Sequence, residues 1–172
     1  MTLLARLFGG PADDHAEVRS LWHRVVEIAR EPQWYAHCGV ADTVAGRFDA
    51  VTAVLALVLL RMEGDEALAR PLARLTELFV TDMDGQLREG GVGDLVVGKH
   101  IGKLMGALGG RLDAYRAALA DADPAGLEQA VQRNITLIEG AGPQGAAAEM
   151  RRLAGQLGAL SNADLLGARI AR

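Results

Sequence analysis

The 172 residues of this chain are enough for one compact domain with a core of its own. Half of them are apolar, aromatics are only 4% and the formal net charge is −4. This excludes a disordered chain and a surface that grips nucleic acid all over, and it leaves Leu, Val and Ala to build the interior.

The first eight residues, MTLLARLF, are too short and too interrupted for a secretory leader. Gly9-Gly10-Pro11 separates a tail over 1–11 from a helical domain over 12–172. Asp13 or Asp14 is expected to cap a first helix running to about Arg30, with Val18, Leu21, Trp22, Val25, Val26 and Ile28 largely on one face. Pro32 opens a short segment with Trp34 and Tyr35, closed by Gly39. The lone cysteine, Cys38, lies in it, which excludes an intrachain disulfide and fits a reducing compartment, the cytoplasm. Asp42 and Thr43 are caps for a helix from Val44 to about Met62. Its apolar run Ala50–Leu60 is bounded by Arg47 and Asp49 at one end and by Arg61 and Glu63 at the other. A membrane span needs roughly 20 apolar residues, so the run predicts a central helix buried on most sides.

Gly64 and Asp65 begin another amphipathic helix, with Leu68, Leu72, Leu75, Leu78, Phe79 and Met83 on a shared face. Pro71 either kinks it or marks a later start. Gly90-Gly91 stops it, and Gly93 and Asp94 open a long helix to about Ala120, with Val96, Val97, Ile101, Leu104, Met105, Leu108, Leu112 and Tyr115 on its core face. Pro124 starts a helix expected to run to about Glu139. Another follows Gly140-Ala141-Gly142-Pro143 to about Leu160, and Asn162 or Asp164 caps a short last one. No alternating run is long enough for a strand. The expected fold is a single all-α domain of about six to seven helices.

Three features bear on function. Gly93 to Lys99 has the G-x-x-x-x-G-K spacing of a phosphate-binding loop, but His100 stands where Ser or Thr would meet Mg²⁺, and polar residues replace the preceding buried strand. The plainer reading is a tight turn made by Gly90, Gly91 and Gly93 between two helices. Gly98, Gly102 and Gly106 form a ladder on one helical face, with Gly109 and Gly110 beyond. Each costs about 1 kcal/mol relative to Ala, so the ladder predicts a compensating close helix contact, within the chain by preference or with a partner helix otherwise. Lys99 and Lys103 are the only lysines and, with His100, make a basic edge on the same helix. His37 beside Cys38 has no further ligand at metal spacing, and Cys38 reads as a small packed residue. Asp82, Asp84 and Asp94 read as turn and cap residues before a Mg²⁺ site. No catalytic constellation stands out, and neither a cofactor nor a metal is expected.

Two blocks carry a resemblance. Tyr35–Met62 contains Gly39-Val40-x-Asp42-Thr43-x-x-Gly46-Arg47-Phe48. Thr81–Leu119 contains, in order, Asp82-Met83-Asp84, Leu87-Arg88-Glu89, Gly91-Val92-Gly93-Asp94 and Val97-Gly98-Lys99. Arg133-Asn134 and the Leu-rich end add to them. Over residues 20 to 170 the sequence resembles the ubiquinol–cytochrome c chaperone family, whose mitochondrial members assist cytochrome b during assembly of the bc1 complex, and it looks like a bacterial member. One departure is visible: Gly109 stands before Gly110-Arg111, where the family often has an aromatic.

The resemblance implies a non-catalytic, α-helical assembly factor that holds an apolar segment of a membrane-protein client, with cytochrome b as that client. Relatives in mitochondria work with a partner protein near the ribosomal tunnel exit, so a ribosome or membrane-surface contact at the inner face of the membrane belongs to the same expectation. Lys99, Lys103, Arg47 and Arg88 are the expected client contacts. Asp42, Thr43, Gly46, Phe48, Asp82, Asp84, Glu89, Gly91, Gly93, Asp94, Gly98 and Arg111 are the expected framework around them. Two rival readings use the same residues. One is a nucleotide- or small-molecule-binding protein built on the Gly93–Lys99 turn. The other is a homodimer joined through the glycine-laddered helix.

Overall fold

The computed structural model describes residues 15–89 and 94–171, without the side chains of residues 86–89 and 94–100. Within it, α1 (Ala16–Ala29), α3 (Val44–Met62), α4 (Ala69–Glu89), α5 (Asp94–Ala120), α6 (Pro124–Asn134) and α7 (Gln144–Gly158) are the long helices, and α2 (Pro32–Ala36) and α8 (Asn162–Leu166) are single turns. No strand occurs among the described residues, only an isolated antiparallel bridge between Val40 and Leu137.

α3 is the axis of the fold. Thr43 Oγ1 accepts the Gly46 N–H at 3.1 Å and caps it, the role expected of Asp42 or Thr43. A Cβ on Gly46 would lie 2.0 Å from the Ala41 carbonyl oxygen, so only glycine lets the incoming chain press this close to the first turn. From Ala53 to Leu59 every side chain is buried, because α1, α5 and α7 pack around the helix and α4 touches it too. No helix among the described residues is long and apolar enough to cross a membrane.

The other helices bury one face each. α1 turns Val18, Leu21, Trp22, Val25 and Ile28 inward. α2 begins at Pro32, whose missing N–H costs nothing at a first helical position. It buries Trp34, whose Nε1 donates to the Ile28 carbonyl at 2.8 Å. A 3₁₀ turn at Glu66–Leu68 precedes α4, so Pro71 falls within the first turn of α4 and the later start is the outcome. Arg61 donates to the Leu157 and Leu160 carbonyls at 3.1 and 2.8 Å, closing the C-terminal end of α7 against α3. Ser161 caps α8, in place of Asn162 or Asp164.

The expected end of α6 at about Glu139 is wrong. The helix stops at Asn134, and the next residues are drawn out against the segment before α3. Ala41 N donates to Thr136 O and Ile138 N to Gly39 O, both at 2.9 Å. Backbone bonding across the fold outcompetes continued helix here, aided by Thr136, a poor helix former with a second partner described below.

Candidate functional site

At the centre of the molecule lies a buried polar knot. Arg111 of α5 donates through Nη2 to Asp49 Oδ1 at 2.5 Å and to the Asn134 carbonyl at 3.0 Å, and through Nη1 to Thr52 Oγ1 at 2.9 Å. The other Asp49 oxygen accepts the Thr136 N–H at 2.9 Å and the Thr136 hydroxyl at 2.7 Å. The guanidinium carbon also stands 5.8 Å from the Phe48 ring centre. Only 11% of the Arg111 side chain and 12% of Asp49 remain exposed. The knot therefore joins α3, α5 and the end of α6, and the fork geometry that only arginine offers lets one residue serve three acceptors.

Arg111 and Phe48 were expected in the framework. Asp49 was not: it read as the boundary of an apolar run. Its position against a buried helix was the available signal, since a carboxylate there must find a partner. Thr52 and Thr136 gave no signal.

The remaining framework residues do not form one set. Arg47 Nε donates to Asp42 Oδ1 at 2.6 Å, and this contact holds the Asp42 carboxyl below its usual range. Both side chains are more than half exposed, so the pair adds little stability. Asp82 does not pair with the neighbouring acids; it accepts from Trp22 Nε1 at 2.5 Å and links α4 to α1. Cys38 is buried, and a Cβ on Gly145 of α7 would approach its Cα to 3.0 Å, which accounts for two small residues at this crossing. Gly91 and Gly93 lie outside the described residues, as do the side chains of Arg88, Glu89, Asp94 and Lys99, while Gly98 lies in the first turns of α5. The Gly93–Lys99 stretch that resembles a phosphate loop comes after helix α4 in the chain, not after a strand, and is helical from Asp94 onward, which removes the scaffold such a loop requires.

α5 changes character along its length. Leu108 and Tyr115 are fully packed, and Leu112 is partly so. Toward its beginning Ile101 and Leu104 are half-covered and Met105 is 38% exposed. Among the described residues no other helix packs on the glycines there: a Cβ on Gly102, Gly106, Gly109 or Gly110 would meet nothing within 4 Å. The preferred reading of the ladder, internal packing, is thus overturned for these positions. What remains is a shallow, flat, mostly apolar strip along α5, with Lys103 exposed at its edge. A strip of this kind can take another helix at close range, because no side chains hold the backbones apart.

The family model described as ubiquinol-cytochrome C chaperone matches residues 36–171. The chain belongs to this family. The crystal structure of the Cbp3 homolog from Brucella abortus superposes with a TM-score of 0.78 at 30% sequence identity, covering 98% of this chain and 96% of that one. No curated protein sequence matches. Membership of the family supports a chaperone or assembly role and confirms the resemblance carried by the Gly39–Phe48 and Asp82–Lys99 blocks. It also places the polar knot and the open strip of α5 within the matched stretch, while Arg30 and Tyr35 lie ahead of it.

Proposed function

We propose that this protein holds an apolar segment of a membrane-protein client, cytochrome b of the bc1 complex, without catalysing a reaction. The observation that carries the reading is the strip of α5 over Gly102, Met105, Gly106, Gly109 and Gly110, which the described residues leave uncovered. A client helix laid on it would bury apolar surface at about 25 cal/mol per Å², and the absent side chains would permit close backbone approach. Lys103, with Lys99 one turn earlier on the same helix, would meet acidic groups flanking the apolar segment or the lipid surface from which it comes. Gly109 extends the flat strip where the family often carries an aromatic. The Asp49–Arg111 knot holds α5 to α3 just beyond the strip, so the platform stays rigid while its free face remains open. This work belongs at the inner face of the membrane.

A photo-crosslinking residue at Met105 tests the reading in cells that are assembling the complex. Adducts with cytochrome b at Met105, and none at exposed Arg133 on α6, are the expected result. Equal labelling at both positions, or none at either, would remove the strip as the client site. The uncovered glycines would also fit a second copy of the chain. Sedimentation of the wild type beside Gly102→Leu separates this reading, since a strip-mediated dimer would dissociate in the variant.

A further inference from the structure

A second concave site lies where α1, α2 and α3 meet. Arg30, Pro32, Tyr35, Ala36, Asp42 and Arg47 line an open groove of about 310 Å³. Arg30 ends α1, and among the described residues no acceptor meets its guanidinium. Arg47 is engaged only through Nε, by Asp42, which leaves the outer nitrogens of its fork for another acceptor. The Tyr35 hydroxyl donates to the Ala29 carbonyl at 2.7 Å, which fixes the ring as one wall; both guanidiniums lie close enough to pull against the rise that burial causes in its pKa. Pro32 and Ala36 supply apolar lining. Two guanidiniums aimed into one groove suit the oxygens of a phosphate group better than a single carboxylate, because each planar fork can donate twice.

The neighbouring surface indicates where that phosphate comes from. Val44 is 88% exposed, the most exposed large hydrophobic side chain among the described residues, and it lies three positions before Arg47 on α3. Residues so spaced share a helix face. An apolar side chain projecting beside paired arginines matches a lipid surface, where the apolar group enters the interface and the cations hold phosphates. We propose that the Arg30–Tyr35–Arg47 groove binds the phosphate of an anionic phospholipid headgroup, with Val44 entering the interface beside it. Asp42 also faces the groove. Its carboxylate repels an incoming phosphate and competes for Arg47, so it sets the affinity low. The inference uses residues separate from the α5 strip and stands or falls without it.

Flotation with phosphatidylcholine vesicles, with and without phosphatidylglycerol, is the test. The wild type should bind only the vesicles that carry phosphatidylglycerol. Arg30→Gln with Arg47→Gln should weaken binding about 25-fold, the product of two arginines each worth about fivefold near an anionic surface. Arg70→Gln with Arg133→Gln removes the same charge from exposed sites elsewhere and should change it little. Asp42→Asn should strengthen it. All five positions are exposed, and unchanged thermal unfolding of each variant confirms that the fold is intact. No vesicle binding by the wild type, or equal losses in the two double variants, would overturn the proposal. Occupation of the groove by glycerophosphate without vesicle binding would overturn the membrane assignment.

Discussion

Arg111 and Asp49 lie 62 positions apart in the chain and meet at 2.5 Å in the middle of the fold. Each oxygen and most of the donors of the pair are committed, to Thr52, Asn134 and Thr136. With the carboxylate fully bonded and the guanidinium largely so, a buried ion pair is tolerable. Its consequence is positional: the α5 strip, the end of α6 and the central helix share one fixed point.

Breaking the pair from either side should leave an uncompensated buried charge. Arg111→Met or Asp49→Ala is expected to cost about 3–5 kcal/mol, read by urea unfolding. The double variant should cost less than the sum of the two. Additive losses would show that the two side chains act independently.

Glycines of α3 and α5 should respond in opposite directions. Gly46→Ala drives a Cβ into the Ala41 carbonyl and should destabilise by about 2 kcal/mol or more. Gly102→Ala and Gly106→Ala meet open space and should each stabilise by about 1 kcal/mol. The same two variants should reduce capture of cytochrome b, because the added methyl groups raise the strip. A gain in stability with full capture would count against the strip as a binding surface.

Lys103→Glu, alone and with Lys99→Glu, should weaken client capture without lowering the melting temperature. Lys103 is exposed, so its replacement touches no packing. Co-purification of cytochrome b after each change is the measurement, and undiminished recovery with the double charge reversal would dismiss the basic edge.

Tyr115 carries a pH signature. Its side chain is fully buried, its hydroxyl has no partner among the described residues, and burial pushes the phenol up to about 12 from an ordinary 10. Below pH 10 both the folded and the unfolded phenol are protonated, and pH has no effect through this group. Between 10 and 12 only the unfolded chain releases the proton, so stability falls as pH rises, by about 3 kcal/mol in all. Tyr115→Phe should be neutral or stabilising near pH 7, since it removes an unsatisfied buried oxygen. It should also lose this part of the alkaline destabilisation. Identical urea-unfolding profiles from pH 8 to 11.5 for the two proteins would refute the assignment.

The amino-acid sequence by itself determined the helices, most of their boundaries and the family. Periodicity placed Val18, Leu21, Trp22, Val25 and Ile28 on one face of α1, and the apolar run Ala50–Leu60 identified the buried axis, because burial of a helix face leaves a regular trace along the chain. Local chemistry fixed the Thr43 cap and the helix start at Pro32. Only the tertiary structure decided the rest. Helix α6 ended early because Thr136 found Ala41 and Asp49, residues more than eighty positions away, and no local rule weighs such partners. Asp82 turned to Trp22 across two helices, not to the acids beside it in sequence. The glycine ladder of α5 had two meanings, a packed seam or an open strip. Sequence spacing puts glycines on one face of a helix, but what lies opposite that face depends on where the other helices come to rest.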